Sequence, residues 1–431
     1  MNPQALELNE IIQTNSNATF TLLSHKGKRI FFPKKGILAQ TAQAKGKRIN
    51  ATIGAAVEDD GSPMRLKSIE KELNIDPSLS FPYAPSFGRP DLRKKWKELL
   101  VQKNPTLASK PFSNPIVTNA LTHGLSICGY LFVDPGDSII MPNPYWGNYN
   151  LTFQNAYDAE FDKFPLFEKE GVNIAGFKEK LMTGHIGKKL LLLNFPNNPT
   201  GYTPKQQEVK DICEIILQSA KLGNTIVVLI DDAYFGLVYE DGIEKESFFS
   251  YLSDLHENVL AVKIDGATKE DYVWGFRVGF LTFGIKGGNN SLYEALEAKT
   301  AGAIRGNISN ASNLSQSLVL GAYSSKTYQK EKAEKNMILN NRYKKVKDAL
   351  KKEKYAEVFQ PLPFNSGYFM CVQLNAVLDE EKIRQILLDE FDTGVISLPN
   401  MLRVAYSAVA EHDIEELFEN IYNACIKSKS L

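Results

Sequence analysis

The chain has 431 residues, which is enough for about two or three domains that each bury a core. Hydrophobic residues make up 43% of it and charged residues 23%, which is ordinary for a soluble globular protein. Because 50 acidic residues balance 50 basic ones, the charge gives no reason to expect nucleic acid or an anionic membrane as a partner.

Three features of the sequence indicate the compartment of the protein and whether it binds a metal: its cysteines, its histidines and its N-terminal residues. The four cysteines are widely spaced without a CxxC pair, which argues against a disulfide framework or a zinc site and suits a reducing compartment. The five histidines are scattered, so we expect no metal site. The first residues lack a signal pattern and no apolar run approaches about 18 residues, so we predict a cytoplasmic protein without a membrane span.

The N-terminal part predicts few regular elements. Residues 2–13 are typical of a short helix. Residues 49–56 form an apolar run that contains Gly54. They predict either a plain hairpin or a backbone edge that a ligand can approach closely at the glycine. The aromatic loop 83–88 then precedes a helix that opens at Pro90.

From residue 115 onward, short apolar runs alternate with amphipathic helices. This alternation continues for about 200 residues and predicts an α/β fold with a parallel sheet. Ligands of such sheets bind beyond the carboxyl ends of the strands, and each candidate motif lies at such an end. The predicted strands are 116–118, 138–141, 189–195, 225–230 and 259–264, and the predicted helices include 120–132 and 205–220.

The C-terminal part predicts a second, smaller unit of mixed helices and strands. Residues 315–350 are typical of one or two long, charged helices. Strand patterns follow within 365–373 and 402–406, and helix patterns cover 379–390 and 411–424. This order of elements indicates a small α+β domain.

Several residue types at the strand ends suit one kind of cofactor. Lys269 follows a strand and is predicted to form a Schiff base with an aldehyde. A buried carboxylate at Asp231 would keep a pyridine nitrogen protonated. Asn198 and Tyr234 would donate to a phenolic oxygen, and Trp146 offers a flat face for stacking.

A phosphate group would find donors in the same region. The turn of Ala120, Leu121 and Thr122 opens a helix, so its N–H groups and the helix dipole face an anion. Thr268 adds a hydroxyl and Arg277 a fork of donors. Each residue alone has a structural explanation, such as a turn signal, a surface cap or a core side chain. Together and in this order, they predict a site for pyridoxal 5'-phosphate.

The chain resembles the aspartate/aromatic aminotransferase group of the class I/II pyridoxal-phosphate-dependent aminotransferases. The resemblance covers nearly the whole chain beyond the first 45 residues. It implies an aspartate aminotransferase-like α/β fold, with a mainly parallel sheet in a large domain and a smaller α+β domain, and a homodimer with shared active sites. We predict an N-terminal arm with part of the small domain at 1–64, the large cofactor-binding domain at 65–325 and the C-terminal small domain at 326–431. The matching stretches are 49–61, 83–88, 144–149, 198–201, 231–234, 269–279, 304–310 and 402–406.

The resemblance also implies residue roles. The tyrosine that matches Tyr83 reaches the phosphate of the neighbouring subunit in that family. The arginine that matches Arg403 binds the α-carboxylate of the substrate, a bidentate task for which arginine is suited. Arg305 either comes from the other subunit to bind a distal carboxylate or is a structural arginine at the interface. The residues expected to line the substrate are Gly54, Trp146, Asn198, Arg305 and Arg403.

Three features depart from the family pattern. Gly266 stands where the family often has a serine on the phosphate. Tyr149 stands where aspartate aminotransferases often have a histidine behind the aspartate of the ring nitrogen. The phosphate turn reads Ala-Leu-Thr instead of a Gly/Ser-rich triplet, so we expect mainly backbone contacts to the phosphate.

The predicted function is amino transfer between an L-amino acid (aspartate, glutamate or an aromatic one) and a 2-oxo acid such as 2-oxoglutarate. The predicted catalytic residues are Lys269, Asp231 and Tyr234, with Lys269 moving a proton between substrate and cofactor. The alternative is a β- or γ-eliminating lyase or synthase on the same fold. A regulator that binds DNA would need an additional module, for which the first 45 residues are too short and not basic enough.

Overall fold

A computed structural model of the protein describes residues 1–33 and 36–430, and these residues contain fifteen strands. In chain order they are β1 (Ile49–Asn50), β2 (Ile116–Asn119), β3 (Ser138–Asn143), β4 (Glu160–Pro165), β5 (Phe167–Glu168), β6 (Gly171–Val172), β7 (Lys188–Asn194), β8 (Thr225–Asp231), β9 (Val259–Gly266), β10 (Val278–Gly284), β11 (Phe359–Pro361), β12 (Met370–Leu374), β13 (Thr393–Gly394), β14 (Ile396–Leu398) and β15 (Met401–Val404).

The helices alternate with these strands in the middle of the chain and cluster at its two ends. They are α1 (Pro3–Asn15), α2 (Asn17–Leu22), α3 (His25–Arg29), α4 (Ile37–Gln43), α5 (Lys67–Glu70), α6 (Pro77–Ser80), α7 (Pro90–Lys103), α8 (Ala120–Phe132), α9 (Ile174–Met182), α10 (Gln206–Lys221), α11 (Phe248–Leu252), α12 (Ala267–Glu270), α13 (Asn290–Asn307), α14 (Asn313–Tyr323), α15 (Tyr328–Ala349), α16 (Glu380–Glu390) and α17 (Ile414–Ser430). Within residues 1–33 and 36–430, every helix is too short or too polar to cross a lipid bilayer.

A seven-stranded sheet forms the centre of the molecule, in the order β2-β10-β9-β8-β7-β3-β4. The strands from β4 to β9 in this order are parallel. The apolar runs of β3, β7, β8 and β9 are almost wholly buried, as expected for a parallel sheet that helices cover, whereas the edge strand β4 buries only Phe164. Asn194 pairs with Asp231, and Asp231 pairs with Ile264, so the carboxyl ends of β7, β8 and β9 meet at one edge. The predicted parallel α/β sheet is therefore confirmed.

The sequence does not predict strand β10, which is antiparallel to both of its neighbours, β2 and β9. All seven of its residues, Val278–Gly284, are buried. The chain returns beside β9 after a short connection, which keeps this apolar run in the core and needs no crossover helix. The direction of this strand is thus set by the connection before it.

The run 49–56 does not form a long strand. Only β1 is regular, and it pairs in parallel with β13. Beyond it, the N–H of Ala51 donates to Gly394 and the N–H of Ala405 donates to Ala51, both at 2.8 Å. Hairpin pairing is confined to the end of the run, where the N–H of Met64 donates to the Ala56 carbonyl at 3.1 Å and Val57 pairs with Pro63 across the turn. Most of the segment is therefore held between separate C-terminal segments.

A second, antiparallel sheet has the order β11-β12-β15-β14. The helices α15 and α16 both contact α17 beside it. Its core is separate from that of the central sheet and includes Val346, Leu387 and Phe418. The predicted helices and strands of this α+β part agree with the structure, while the three domain boundaries stay a prediction.

Candidate active site

The carboxyl ends of β7, β8 and β9 bring the predicted catalytic side chains together. Asp231 is the last residue of β8, and Lys269 lies in α12 directly after β9. The Lys269 Nζ atom lies 5.1 Å from the ring centroid of Tyr234. The charges of Lys269 and Asp231 also act on each other's pKa. These three residues therefore share one site at the edge where ligands of parallel sheets bind.

The carboxylate of Asp231 is buried and hydrogen-bonded. Its Oδ2 atom accepts from the Tyr149 hydroxyl at 2.5 Å, and its Oδ1 atom accepts from the N–H of Ala233 at 3.2 Å. Burial raises the pKa of Asp231, while the hydrogen bond from Tyr149 and the charge of Lys269 oppose that shift. Tyr149 thus occupies the position behind the aspartate where relatives often have a histidine, and it supplies a donor there.

The amine of Lys269 is tuned for proton transfer near neutral pH. Burial lowers its pKa to about 8; Asp231 opposes this shift and the positive charge of Arg277 adds to it. The Tyr368 hydroxyl donates to the Lys269 carbonyl at 3.0 Å, which fixes the backbone below the amine. A substantial neutral fraction at physiological pH makes this amine a usable base or nucleophile.

We expect Lys269 in cofactor-free protein to be acetylated with an apparent pKa near 8. An ordinary lysine titrates near about 10.4. Below the pKa the amine is protonated and unreactive, so labelling should rise as the pH increases through 8. Trace labelling with acetic anhydride over roughly pH 6 to 11, followed by mass spectrometry of the Lys269 peptide, measures the curve. The exposed Lys210 of α10 serves as the reference peptide, and a Lys269 curve centred above about pH 10 would contradict the prediction.

The predicted phosphate donors lie at the ends of β2 and β9. Ala120 begins α8 with a φ of 61°, Leu121 is buried and Thr122 is partly exposed. The Thr268 side chain is buried, and its Oγ1 atom has no hydrogen-bond partner within residues 1–33 and 36–430. Arg277 is exposed, with Nη1 3.5 Å from the Trp274 carbonyl oxygen. A hydroxyl buried without a partner calls for an acceptor from a ligand.

The close packing of β9 and β10 explains why position 266 is a glycine. A Cβ atom at Gly266 would lie 2.5 Å from the Val278 carbonyl oxygen and 2.7 Å from the Gly279 Cα atom. Backbone atoms of a paired strand cannot move to make room. A side chain is therefore excluded at this position, and position 266 cannot supply a hydroxyl to the phosphate.

Arg403 and Asn198 lie together on the substrate side. Arg403 is 2% exposed; its Nη1 atom donates to Asn198 Oδ1 at 3.3 Å and its Nη2 atom to the Thr52 carbonyl at 2.9 Å. Its Nε atom has no partner in the described part of the chain. The guanidinium lies 4.3 Å from the ring centroid of Phe369. Two hydrogen bonds fix the Arg403 side chain, and its Nε donor can bind a carboxylate.

Gly54 and Trp146 lie beside these groups. A Cβ atom at Gly54 would contact Phe369 at 3.5 Å and the Tyr234 hydroxyl at 4.0 Å. The partly buried Trp146 meets the Tyr149 ring edge to face, with centroids 5.4 Å apart. Both residues therefore border the site. Gly54 lies beside Tyr234, and Trp146 lies beside Tyr149, which donates a hydrogen bond to Asp231.

The structure does not join Tyr83 and Arg305 to this cluster. Tyr83 is 92% exposed, and Arg305 is exposed on α13. Across residues 1–33 and 36–430, neither side chain makes a hydrogen bond or an ion pair with another named site residue. Tyr83 was expected at the phosphate of the neighbouring subunit, and Arg305 either at a distal carboxylate or as a structural arginine at the interface; both stay predictions.

Sequence reasoning assigns no role to three contributors from distant segments. Tyr368 bonds the Lys269 backbone, Phe369 packs against Tyr234 and Arg403, and Thr52 accepts from Arg403. The strand pattern of 365–373 is visible in the sequence, but only the pairing of β12 with β15 places it beside Arg403. Aromatic residues in such a run are ordinarily explained as core.

The fold and the site define a class of protein. A lysine and a buried aspartate at the strand ends, beside a threonine hydroxyl that has no partner in residues 1–33 and 36–430, suit the aldehyde, ring nitrogen and phosphate of a vitamin B6 cofactor. The sequence profile of the family described as aminotransferase class I and II matches residues 56–421. The chain belongs to this family, which uses pyridoxal phosphate.

Individual relatives agree with this membership. The chain is 26% identical to the aspartate aminotransferase of Bacillus sp. (strain YM-2) over 403 residues, 89% of this chain and 94% of the relative. Two other curated relatives match over about half of their own length, 48% and 47%. The crystal structure of an aminotransferase from Anaerococcus prevotii superposes with a TM-score of 0.82 at 23% identity, covering 94% of this chain and 99% of that one. That of Pyrococcus horikoshii kynurenine aminotransferase, which contains PMP, has a TM-score of 0.78 at 17% identity, covering 95% of this chain and 98% of that one.

The residues present fit the cofactor of the family. The partnerless Thr268 hydroxyl suits a phosphate oxygen, and the buried Asp231 carboxylate suits a protonated ring nitrogen. The lowered pKa of Lys269 suits attack on an aldehyde. Each of these three groups suits a different part of pyridoxal phosphate, so the site is compatible with the cofactor.

Proposed function

We propose that the protein is a pyridoxal-phosphate-dependent aminotransferase that moves an amino group between an L-amino acid and a 2-oxo acid such as 2-oxoglutarate. The observation that carries the proposal is the Lys269 amine, with its pKa near 8, coupled electrostatically to the buried Asp231. When bound, pyridoxal phosphate supplies an electron sink for the substrate's Cα. The Lys269 amine would take the proton from the substrate's Cα and hold it for return during amino transfer.

In this proposal, the other site residues bind the cofactor and orient it. Asp231 keeps the ring nitrogen protonated, and Tyr149 holds the Asp231 carboxylate in place. Asn198 and Tyr234 would donate to the phenolic oxygen, and Trp146 would offer its flat face to the ring. The phosphate contacts come from Ala120, Leu121, Thr122, Thr268, Arg277 and the partner's tyrosine equivalent to Tyr83. The large domain at 65–325 would hold the cofactor, with 1–64 and 326–431 covering it.

The preferred substrates would carry a carboxylate that Arg403 can bind with its unpaired Nε atom. Aspartate, glutamate and aromatic amino acids are the proposed donors, in line with the names of the relatives. Gly54 leaves room above Tyr234 for the substrate backbone. A distal carboxylate would bind Arg305 of the second subunit.

A homodimer is part of the proposal. Phe81 and Tyr83, two positions apart in the chain, are 86% and 92% exposed. Large aromatic side chains exposed at neighbouring positions favour an interaction surface. A second copy that covers them would also bring Tyr83 and Arg305 to the neighbouring site. The four buried free cysteines support the proposed cytoplasmic location, a reducing compartment.

The direct test is a panel of amino acids supplied with 2-oxoglutarate, with glutamate formation as the measured product. Aspartate or an aromatic amino acid should give turnover, and each half-reaction should change the visible absorption of the cofactor-loaded protein. Release of ammonia and pyruvate without a 2-oxo acid acceptor would contradict amino transfer and indicate an eliminating lyase.

Arg305→Ala should lower kcat/KM for aspartate and glutamate roughly 10- to 100-fold, because it removes a charge-assisted hydrogen bond to the distal carboxylate. Aromatic donors lack that carboxylate and should be spared. Steady-state kinetics with aspartate and phenylalanine measures the ratio. Lys299→Ala, on the exposed face of the same helix, is the matched control. Equal loss with both donors would show that Arg305 is structural.

A further inference from the structure

The short helix that carries Lys269 has few means of holding its own shape. α12 contains only four residues, and no side chain caps its N-terminus at Gly266. A single helical turn is marginal on its own because nucleation is unfavourable. The position of the Lys269 amine must therefore depend on tertiary contacts made by residues 267–272, which we call the lysine turn.

Two carboxylates of the lysine turn, Glu270 and Asp271, point away from the active site into a buried charged cluster. Glu270 is 5% and Asp271 0% exposed. The Lys103 ammonium lies 2.8 Å and 3.0 Å from the two Glu270 carboxylate oxygens. The Asp271 carboxylate accepts from the hydroxyls of Tyr323 at 2.8 Å and Tyr328 at 2.6 Å. A buried charge is stable only with such partners.

Lys332 of α15 joins the two carboxylates. Its Nζ atom lies 2.9 Å from Glu270 Oε1 and 3.2 Å from Asp271 Oδ1, and its side chain is 14% exposed. Burial alone would raise the pKa of Glu270, but Lys103 and Lys332 hold it well below its usual value. One ammonium therefore binds the carboxylates of two consecutive residues directly after Lys269.

The same helix reaches the segments that flank the substrate arginine. The Tyr272 hydroxyl donates to Asn336 of α15 at 2.9 Å. Further along, Arg342 donates to the Ser407 carbonyl at 2.7 Å and to Asp59 at 2.8 Å. Ser407 lies four residues after Arg403 in the chain. α15 is thus a rigid connection between the lysine turn and the substrate-binding segments.

We propose that Lys332 is a positioning residue for Lys269: it ties the lysine turn to α15 through Glu270 and Asp271, and so holds the Lys269 amine at its reacting position. Lys332 touches neither substrate nor cofactor in this role. The inference rests on the proposed function for its catalytic consequence, whereas the mechanical link can be measured without substrate.

Amide hydrogen exchange on the full-length protein tests the link. In Lys332→Met, exchange in the peptide that covers the lysine turn should be at least about tenfold faster, because a buried ion pair has lost one partner. Exchange in α10, far from the cluster in the chain, should stay unchanged. Lys332→Arg should restore slow exchange, and Lys330→Met is the control, since that side chain is 81% exposed on the same helix.

Turnover and cofactor affinity complete the experiment. Lys332→Met should lower kcat about tenfold with KM changed less than about threefold, since Arg403 keeps its own partners. Dialysis should also give weaker pyridoxal phosphate retention. Exchange in the lysine turn that equals wild type, or that rises equally in α10, would overturn the proposal.

If Lys332→Met does not fold, Lys332→Gln keeps a hydrogen-bond donor, removes the charge beside Glu270 and Asp271, and provides the same local test. It should raise exchange in the lysine turn by a smaller factor, and unchanged exchange would overturn the proposal. Wild-type turnover decides the proposed function separately. A wild-type protein without amino transfer would remove that function, while the exchange data would still decide the role of Lys332.

Discussion

Replacing Lys269 with alanine should reduce amino transfer at least about 10⁴-fold, because one side chain supplies both the nucleophilic amine and the proton carrier. The lowered pKa near 8 is the reason this amine can act at neutral pH. Single-turnover kinetics with aspartate measures the loss, and the absorption spectrum of the cofactor-loaded protein should change with it. A methyl side chain leaves the amine's space empty, so added small amines should restore part of the rate.

The matched control for this variant is Lys210→Ala on the exposed face of α10. It removes the same group from a helix far from the strand ends, so turnover and spectrum should equal those of wild type. Full turnover in Lys269→Ala, together with an unchanged visible absorption, would contradict the proposed role of Lys269. The thermal unfolding midpoint of each variant shows whether the fold is intact.

The second large effect is expected for Asp231→Asn. The amide keeps the volume but removes the negative charge that would hold a proton on the ring nitrogen. The loss in kcat should be roughly 10²- to 10⁴-fold, the range expected when a buried charge loses its partner. The pKa of Lys269 should fall further in this variant, because the negative charge of Asp231 raises that pKa in the wild-type protein. Titration of Lys269 labelling in the variant therefore provides a readout that is independent of turnover.

Tyr149→Phe is the graded control for Asp231. It removes the hydroxyl that donates to Asp231 at 2.5 Å and keeps the Asp231 side chain itself. Loss of one charge-assisted hydrogen bond should cost about tenfold in kcat. If Tyr149→Phe were as damaging as Asp231→Asn, the hydroxyl would have a direct role of its own. If Asp231→Asn were harmless, the proposed protonation of the ring nitrogen would be wrong.

Much of the fold could be predicted because its signals are local. The apolar runs of β7, β8 and β9 and the amphipathic α10 are visible within short windows of sequence. The antiparallel course of β10 could not be predicted in this way, since an apolar run has the same composition in either direction. The irregular backbone after β1 is likewise set by C-terminal segments that pair with it.

The candidate site divides in the same way. Lys269, Asp231 and Asn198 could be predicted because each follows a strand, and parallel strands bring their carboxyl ends together. The hydrogen bond between Tyr149 and Asp231 joins residues 82 positions apart, and that between Tyr368 and Lys269 joins residues 99 apart. Neither pair has a spacing that a local pattern could reveal.

The sequence by itself determined the parallel α/β core, the order of the strand-end motifs and the chemical class of the ligand they suit. These features follow from the periodicity of the hydrophobic residues and from the residue types at the end of each predicted strand. Only the tertiary structure decided the electrostatics of the site: how far burial lowers the pKa of Lys269, which hydroxyl holds Asp231 and which cations neutralise Glu270 and Asp271. Burial and charge pairing depend on which distant segments pack together, and the chain order does not specify that packing.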